Sequence, residues 1–71
     1  MSIEDEIYSI EIGDIDGAVA WIREFAESEG EMPGPELSEM LFMRALEPED
    51  WERIQVAFDE VAAEFGYSLA P

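Results

Sequence analysis

The sequence contains no Cys, no His and no Lys, and its only basic side chains are Arg23, Arg44 and Arg53. Without Cys, neither a disulfide nor a thiolate metal site can staple the fold. Without His or Cys, the usual nucleophile–base dyads and soft metal centres are excluded. Without Lys, so are Schiff-base chemistry and the phosphate-gripping P-loop. The 5 glycines, at positions 13, 17, 30, 34 and 66, never gather into a G-x-G-x-x-G loop. No run reaches the roughly 18 apolar residues that span a bilayer. The opening Met1-Ser2-Ile3-Glu4-Asp5-Glu6 is acidic where a targeting peptide would be basic, so the expected compartment is the cytosol.

What is present is a small apolar core under a heavily acidic surface. Seventy-one residues suffice for a single domain, spanning 1–71, that buries only about 60% of its unfolded surface. The hydrophobic fraction is 48% and includes Trp21, Trp51, Phe25, Phe42, Phe58, Phe65, Tyr8 and Tyr67, too much for a disordered acidic tail. Asp and Glu number 19, and the net charge is −16. Like charges at this density oppose folding while keeping the chain soluble. They also repel anionic membranes and nucleic acid, so the expected partner is a basic protein surface.

The fold expected is mainly α, with α+β possible: three packed helices and a short N-terminal strand. Tyr8, Ile10 and Ile12 alternate with Ser9 and Glu11 and, with Gly13 behind them, predict a strand over 7–12. The same region also fits a helical stripe, Ile3, Ile7 and Ile10, with Ser2 and Asp5 as a capping box. A helix is expected over about 16–29, capped by Asp14 or Asp16 and ended by Gly30. Its apolar face is Ala18, Trp21, Ile22, Phe25 and Ala26, and Arg23 is placed to pair with Glu27. Pro33-Gly34-Pro35 turns the chain into a helix over about 35–46 with Pro35 at its first position. Pro48-Glu49-Asp50 opens the longest helix, 48–65, with Trp51, Ile54, Phe58, Val61, Ala62 and Phe65 inward and Gly66 as its stop. Tyr67-Ser68-Leu69 reads as extended, available to pair with the N-terminal strand.

Two carboxylate patterns invite chemistry and are rejected. Asp14-Ile15-Asp16-Gly17 begins like an EF-hand loop, but the sixth and twelfth places hold Val19 and Phe25 instead of Gly and Glu, so it reads as a capped helix start. Paired carboxylates could serve a glycosidase, yet a chain this short cannot readily enclose a sugar-sized cleft as well as a core. The expectation is a non-enzyme with no cofactor and no metal.

The acids are instead read as a binding array. Duplex DNA carries one charge per ~1.7 Å, so the net charge of this chain matches about 27 Å of duplex. A helix over 48–65 is also about 27 Å long at ~1.5 Å per residue. Carboxylates at i, i+4 stand roughly 6 Å apart. Glu49, Glu52, Asp59, Glu60 and Glu64 are therefore the first candidates to face a groove of Lys and Arg. Glu4, Asp5, Glu6 and Glu11 extend that row or form a second, and Glu24, Glu27, Glu29 and Glu31 make a third patch. Such binding would weaken steeply with salt. In residues 37–46, Leu37, Met40, Leu41, Phe42, Met43 and Leu46 point all round the helix, either filling the core or forming a contact surface or homodimer seam.

In its short length, single domain, lack of Cys and Lys, and excess of Asp and Glu around a Trp/Phe core, the chain resembles small acidic phage-encoded inhibitors, the anti-CRISPR proteins above all. The likeness is one of overall character and carries no motif. It implies a bacterial host cell and binding to a CRISPR effector subunit by DNA mimicry, with inhibition of a type I interference complex. Two other classes fit the composition: an acidic antitoxin or regulatory adaptor using charge together with the 37–46 helix, and an acidic domain adapted to high salt.

Overall fold

The computed structural model describes residues 3–66. Four helices follow in order: α1 Ile3–Tyr8, α2 Ile15–Glu29, α3 Pro35–Phe42 and α4 Pro48–Phe65. The described residues contain no strand.

The two long helices follow from their end signals. The Asp14 side chain accepts from the Gly17 N–H at 3.1 Å, satisfying one of the donors left open in the first turn of α2. At the other end Gly30 turns left-handed (φ 72°), and its N–H closes on the Ala26 carbonyl. In α4, Pro48 occupies the first turn behind a reciprocal capping box. The Glu47 side chain accepts from the Asp50 backbone, and the Glu47 N–H donates to Asp50 Oδ2 at 3.3 Å. Gly66 (φ 73°) ends the helix. Each helix then turns an apolar face inward: Ile15, Ala18, Trp21, Ile22 and Ala26 from α2, and Ile54, Ala57, Phe58, Val61 and Ala62 from α4.

These faces meet to form most of the core, with Ile7 and Leu41 inserted from α1 and α3. Arg53 bridges to Asp16 and Arg23 to Glu64, in the same order along both helices. So α2 and α4 run in the same sense, and the α3 segment carries the chain back between them. Phe42 lies in an aromatic relay, with its ring centroid 4.7 Å from that of Trp51 and 5.6 Å from that of Phe58.

The N-terminal strand expected over 7–12 is replaced by α1. Glu4, Asp5 and Glu6 complement the positive end of the helix dipole in its first turn. The Ile3–Ile7–Ile10 stripe also has helical spacing and brings Ile7 to full burial. Tyr8 and Ile12, core residues of the strand reading, are 64% and 57% exposed. The partner strand at 67–69 and the Ser2 cap lie outside the described residues. The third helix ends at Phe42, short of 46. Arg44 leaves the helix to accept from the Gly13 N–H through its carbonyl at 2.7 Å, and Glu47 extends to cap α4. Trp51 and Phe65, expected inside, lie at the margin with 48% and 36% exposure. Arg23 reaches across to α4 instead of along its own helix to Glu27.

Arg44 is the buried charge of the fold, at 8% exposure. Its guanidinium stands 5.8 Å from the Tyr8 ring centroid, and Nη1 donates to the Ile10 carbonyl at 3.4 Å. Its Nε is buried without a partner.

Candidate cation-binding surface

Every Asp and Glu except the half-buried Asp50 is exposed, so the acids form a skin over all four helices. Little of that charge is neutralised internally. Arg23 Nη2 meets Glu64 Oε2 at 2.7 Å, and Arg53 Nη2 meets Asp16 Oδ1 at 2.5 Å. The hydrogen bond and charge of Arg23 hold the Glu64 carboxyl below its ordinary pKa, and the same bond raises that of Arg23. With Arg44 turned inward, no arginine projects unengaged from the described surface.

Two grooves concentrate the acids on opposite flanks of α2. The first, about 450 Å³ and widely open, runs between α2 and α4 and is lined by Val19, Glu49, Glu52, Arg53, Val56, Ala57 and Glu60. Glu49, Glu52, Val56 and Glu60 follow one another at spacings of three and four, a single outward stripe of α4. Val56, half exposed, lies between the carboxylates, giving the stripe an apolar centre. The second groove, about 250 Å³, lies between α1 and α2 and is lined by Ile3, Glu6, Trp21, Glu24, Phe25, Ser28 and Glu29. Its α2 residues recur at i, i+3, i+4, i+7 and i+8, so they form one continuous edge of the helix. The Trp21 and Phe25 rings stack there, with centroids 5.1 Å apart.

The sequence-derived candidates divide between these places. Glu49, Glu52 and Glu60 come together in the first groove, and Glu6 joins Glu24 and Glu29 in the second. Asp59 lies beside the α4 stripe, where it accepts from Gln55 Nε2 at 3.4 Å, and Glu64 is held by Arg23. Glu4, Asp5 and Glu11 are exposed on α1 and the loop after it and line neither groove. Val19, Val56, Trp21, Phe25 and Ser28 line the grooves without having been marked by the sequence as contact residues. A helical wheel of 16–29 shows the Trp21/Phe25/Ser28 edge, but not that α1 leaves it open.

A third surface is apolar. Tyr8, Ile12, Met43, Leu46 and Trp51 are all exposed around the turn between α3 and α4. Of the 37–46 segment, Leu41 is buried, Leu37, Met40 and Phe42 are partly buried and so fill the core, and Met43 and Leu46 face solvent.

Among the described residues no three carboxylates are grouped so that they could hold a metal ion, and no helix is long and apolar enough to cross a membrane. No protein-family model, curated protein or solved structure matches the chain.

Proposed function

We propose that the protein is a non-enzymatic cytosolic inhibitor that binds the basic nucleic-acid-binding surface of another protein and competes with nucleic acid for it. The observation that carries this reading is the α4 stripe, in which Glu49, Glu52 and Glu60 stand around Val56 on a capped helix; Arg53, which lines the same groove, is bound to Asp16, while Glu64 holds Arg23 and Arg44 is buried against the Ile10 carbonyl. A rigid helix loses little entropy on binding, and fixed carboxylates displace the counterions of a Lys/Arg groove much as phosphates do. Glu49 to Glu60 covers about 16 Å of helix axis, so three carboxylates are sparser than the phosphates of a duplex. The stripe sets the register, and the acids of the other helices add to the long-range field that steers encounter. The resemblance to anti-CRISPR DNA mimics narrows the partner to a type I interference complex of a bacterial host.

The test is a gel shift with such a complex, its target DNA and excess protein. Target DNA is expected to be displaced, with a loss of inhibition on raising salt and on the triple change Glu49→Gln/Glu52→Gln/Glu60→Gln. DNA binding that proceeds unhindered removes the effector assignment. The exposed Tyr8/Ile12/Met43/Leu46/Trp51 surface favours a second reading, an adaptor or antitoxin that docks through apolar contact. Under that reading Met43→Ser and Leu46→Ser abolish binding to a captured partner, and the glutamine variant retains it.

A further inference from the structure

We infer that the exposed apolar face of Tyr8, Ile12, Met43, Leu46 and Trp51 is the docking site for an amphipathic helix of a partner protein, one whose apolar stripe is bordered by Lys or Arg. The inference rests on the apolar-docking reading and names its occupant; it does not depend on competition with nucleic acid. The five side chains come from α1, the loop after it, the α3–α4 turn and the first turn of α4, and contacts around Arg44 hold these segments together. The Arg44 guanidinium stands 5.8 Å from the Tyr8 ring centroid and donates to the Ile10 carbonyl, while the Arg44 carbonyl accepts from the Gly13 N–H. Leu46 lies over Gly13, where a Cβ would meet Leu46 Cδ1 at 2.7 Å. Trp51 is backed by the Phe42 ring, with centroids 4.7 Å apart. The five side chains are nonetheless 48–67% exposed, so the fold holds an apolar surface in place without covering it.

Charge and backbone choose the occupant. Glu4 stands one turn before Tyr8, Glu11 beside Ile12, and Glu47 both beside Leu46 and one turn before Trp51; all three are exposed. The cation among these segments, Arg44, is buried beneath them. Two copies meeting through this face would oppose those carboxylates, and an anionic lipid surface would be repelled likewise, so the partner's border must be basic. The described residues contain no strand, so a partner strand finds no ladder to extend. Docking then relies on side chains, which a helix presents as one stripe at i, i+3, i+4 and i+7. The chain's own C-terminal residues do not reach this far. Residues 67–71 follow Gly66, about 22 Å along α4 from Trp51, and five extended residues span at most about 18 Å. Ile3, at the start of α1, lines the α1–α2 groove instead. The face is also separate from the α4 stripe: at about 100° per residue, Trp51 lies about 145° around the helix from the stripe's mean direction.

The test is an NMR titration of the full chain in about 0.15 M NaCl with the helical peptide Ac-KLLKLLKKLLKLLK-NH2, beside counterparts carrying Ser for Leu and Glu for Lys. The Leu/Lys peptide is expected to shift the Trp51 indole N–H and the methyl groups of Ile12, Met43 and Leu46 saturably, leaving the core Trp21 indole in place. The Ser/Lys peptide should leave those methyl groups unmoved. The Leu/Glu peptide should bind about tenfold more weakly, since its border repels the acidic rim. Met43→Ser/Leu46→Ser should weaken the Leu/Lys titration by about tenfold or more, the loss of two apolar contacts. Ile12→Ser, in a different segment, should weaken it severalfold. These positions are exposed, and unchanged helical circular dichroism verifies that the variants fold. Glu49→Gln/Glu52→Gln/Glu60→Gln should hold the affinity within about twofold, which separates this face from the α4 stripe. Equal binding of the Ser/Lys or Leu/Glu peptide overturns the proposal, as do shifts centred on the stripe or spread evenly over all the acids. So does sedimentation showing that the chain alone pairs and that Met43→Ser/Leu46→Ser makes it monomeric, which would give the face to a second copy. A failed titration leaves the captured-partner test of Met43→Ser and Leu46→Ser standing, so the two readings fall separately.

Discussion

Arg23 donates to Glu64 at 2.7 Å across 41 residues of sequence, fixing the middle of α2 to the last turn of α4. The bond lowers the pKa of Glu64, so the pair stabilises the fold above the ordinary glutamate range and loses its effect as pH falls through the lowered value. The raised pKa of Arg23 matters only at extreme alkalinity. Acidification also relieves repulsion among the other carboxylates, so a single stability–pH curve would hide the pair. The difference between wild type and Glu64→Gln cancels that background. Urea titrations should show wild type more stable at pH 7, with the gap closing below about pH 4. A gap that persists in acid would show that Glu64 acts by packing.

Salt should stabilise this protein. Two exposed ion pairs are weakened by screening, but each contributes little, and the net charge of −16 is screened along with them. The Debye length falls from about 10 Å at 0.1 M to about 3 Å at 1 M, shorter than most distances between surface acids. The melting temperature should therefore rise between 50 mM and 1 M NaCl, from a domain already folded at the lower value. A chain unfolded at 50 mM and folded only in molar salt would identify the high-salt adaptation.

Gly17 sits in the first turn of α2, where alanine would ordinarily be better by about 1 kcal/mol. A Cβ on Gly17, however, would lie 2.5 Å from Asp14 Oδ2, the carboxylate that caps the helix. The side chain can swing away, but only by giving up the cap, which is worth about 0.5–2 kcal/mol. Gly17→Ala should thus be near neutral in the native background and stabilising by about 0.5–1 kcal/mol in an Asp14→Ala background. Additive effects in a denaturation double-mutant cycle would show that the cap and the Cβ do not compete.

The legible parts of the sequence were those specified by neighbours along the chain. Asp14 with Gly30 and Pro48 with Gly66 bound α2 and α4 because caps and breakers act within a few residues, and the Ala18–Ala26 and Ile54–Ala62 stripes then point inward. Residues 3–12 satisfy both a period of two and a period of 3.6, and burial of Ile7 against the other helices decides between them. The early end of α3 has no breaker in it: it is set by Arg44 and Glu47, which bond to the loop at Gly13 and to the start of α4. The acidic stripe of α4 could be drawn on a helical wheel, as could the inward faces. The grooves could not, since each depends on how far two helices stand apart. The pairing of Arg23 illustrates the same limit: Glu27 was in reach by spacing, and Glu64 only by tertiary packing.

Arg44 presents opposed effects that salt can separate. Its burial with an unpartnered Nε and one long hydrogen bond to Ile10 opposes folding, and its contact with Tyr8 offsets only part of that. It is also a cation inside a strongly anionic molecule, so it gains from long-range attraction to many carboxylates at once. Methionine matches much of its length without the charge, and replacing buried ionic groups by apolar ones is often neutral or stabilising. At 50 mM NaCl the lost attraction should roughly balance the relieved desolvation, leaving Arg44→Met within about 1 kcal/mol of wild type. At 1 M the attraction is screened while the buried, unpartnered Nε remains, so the variant should be the more stable of the two. Urea titrations of both proteins at the two salt concentrations read this directly. A variant that loses ground to wild type as salt is raised would show that Arg44 holds the fold through local bonds.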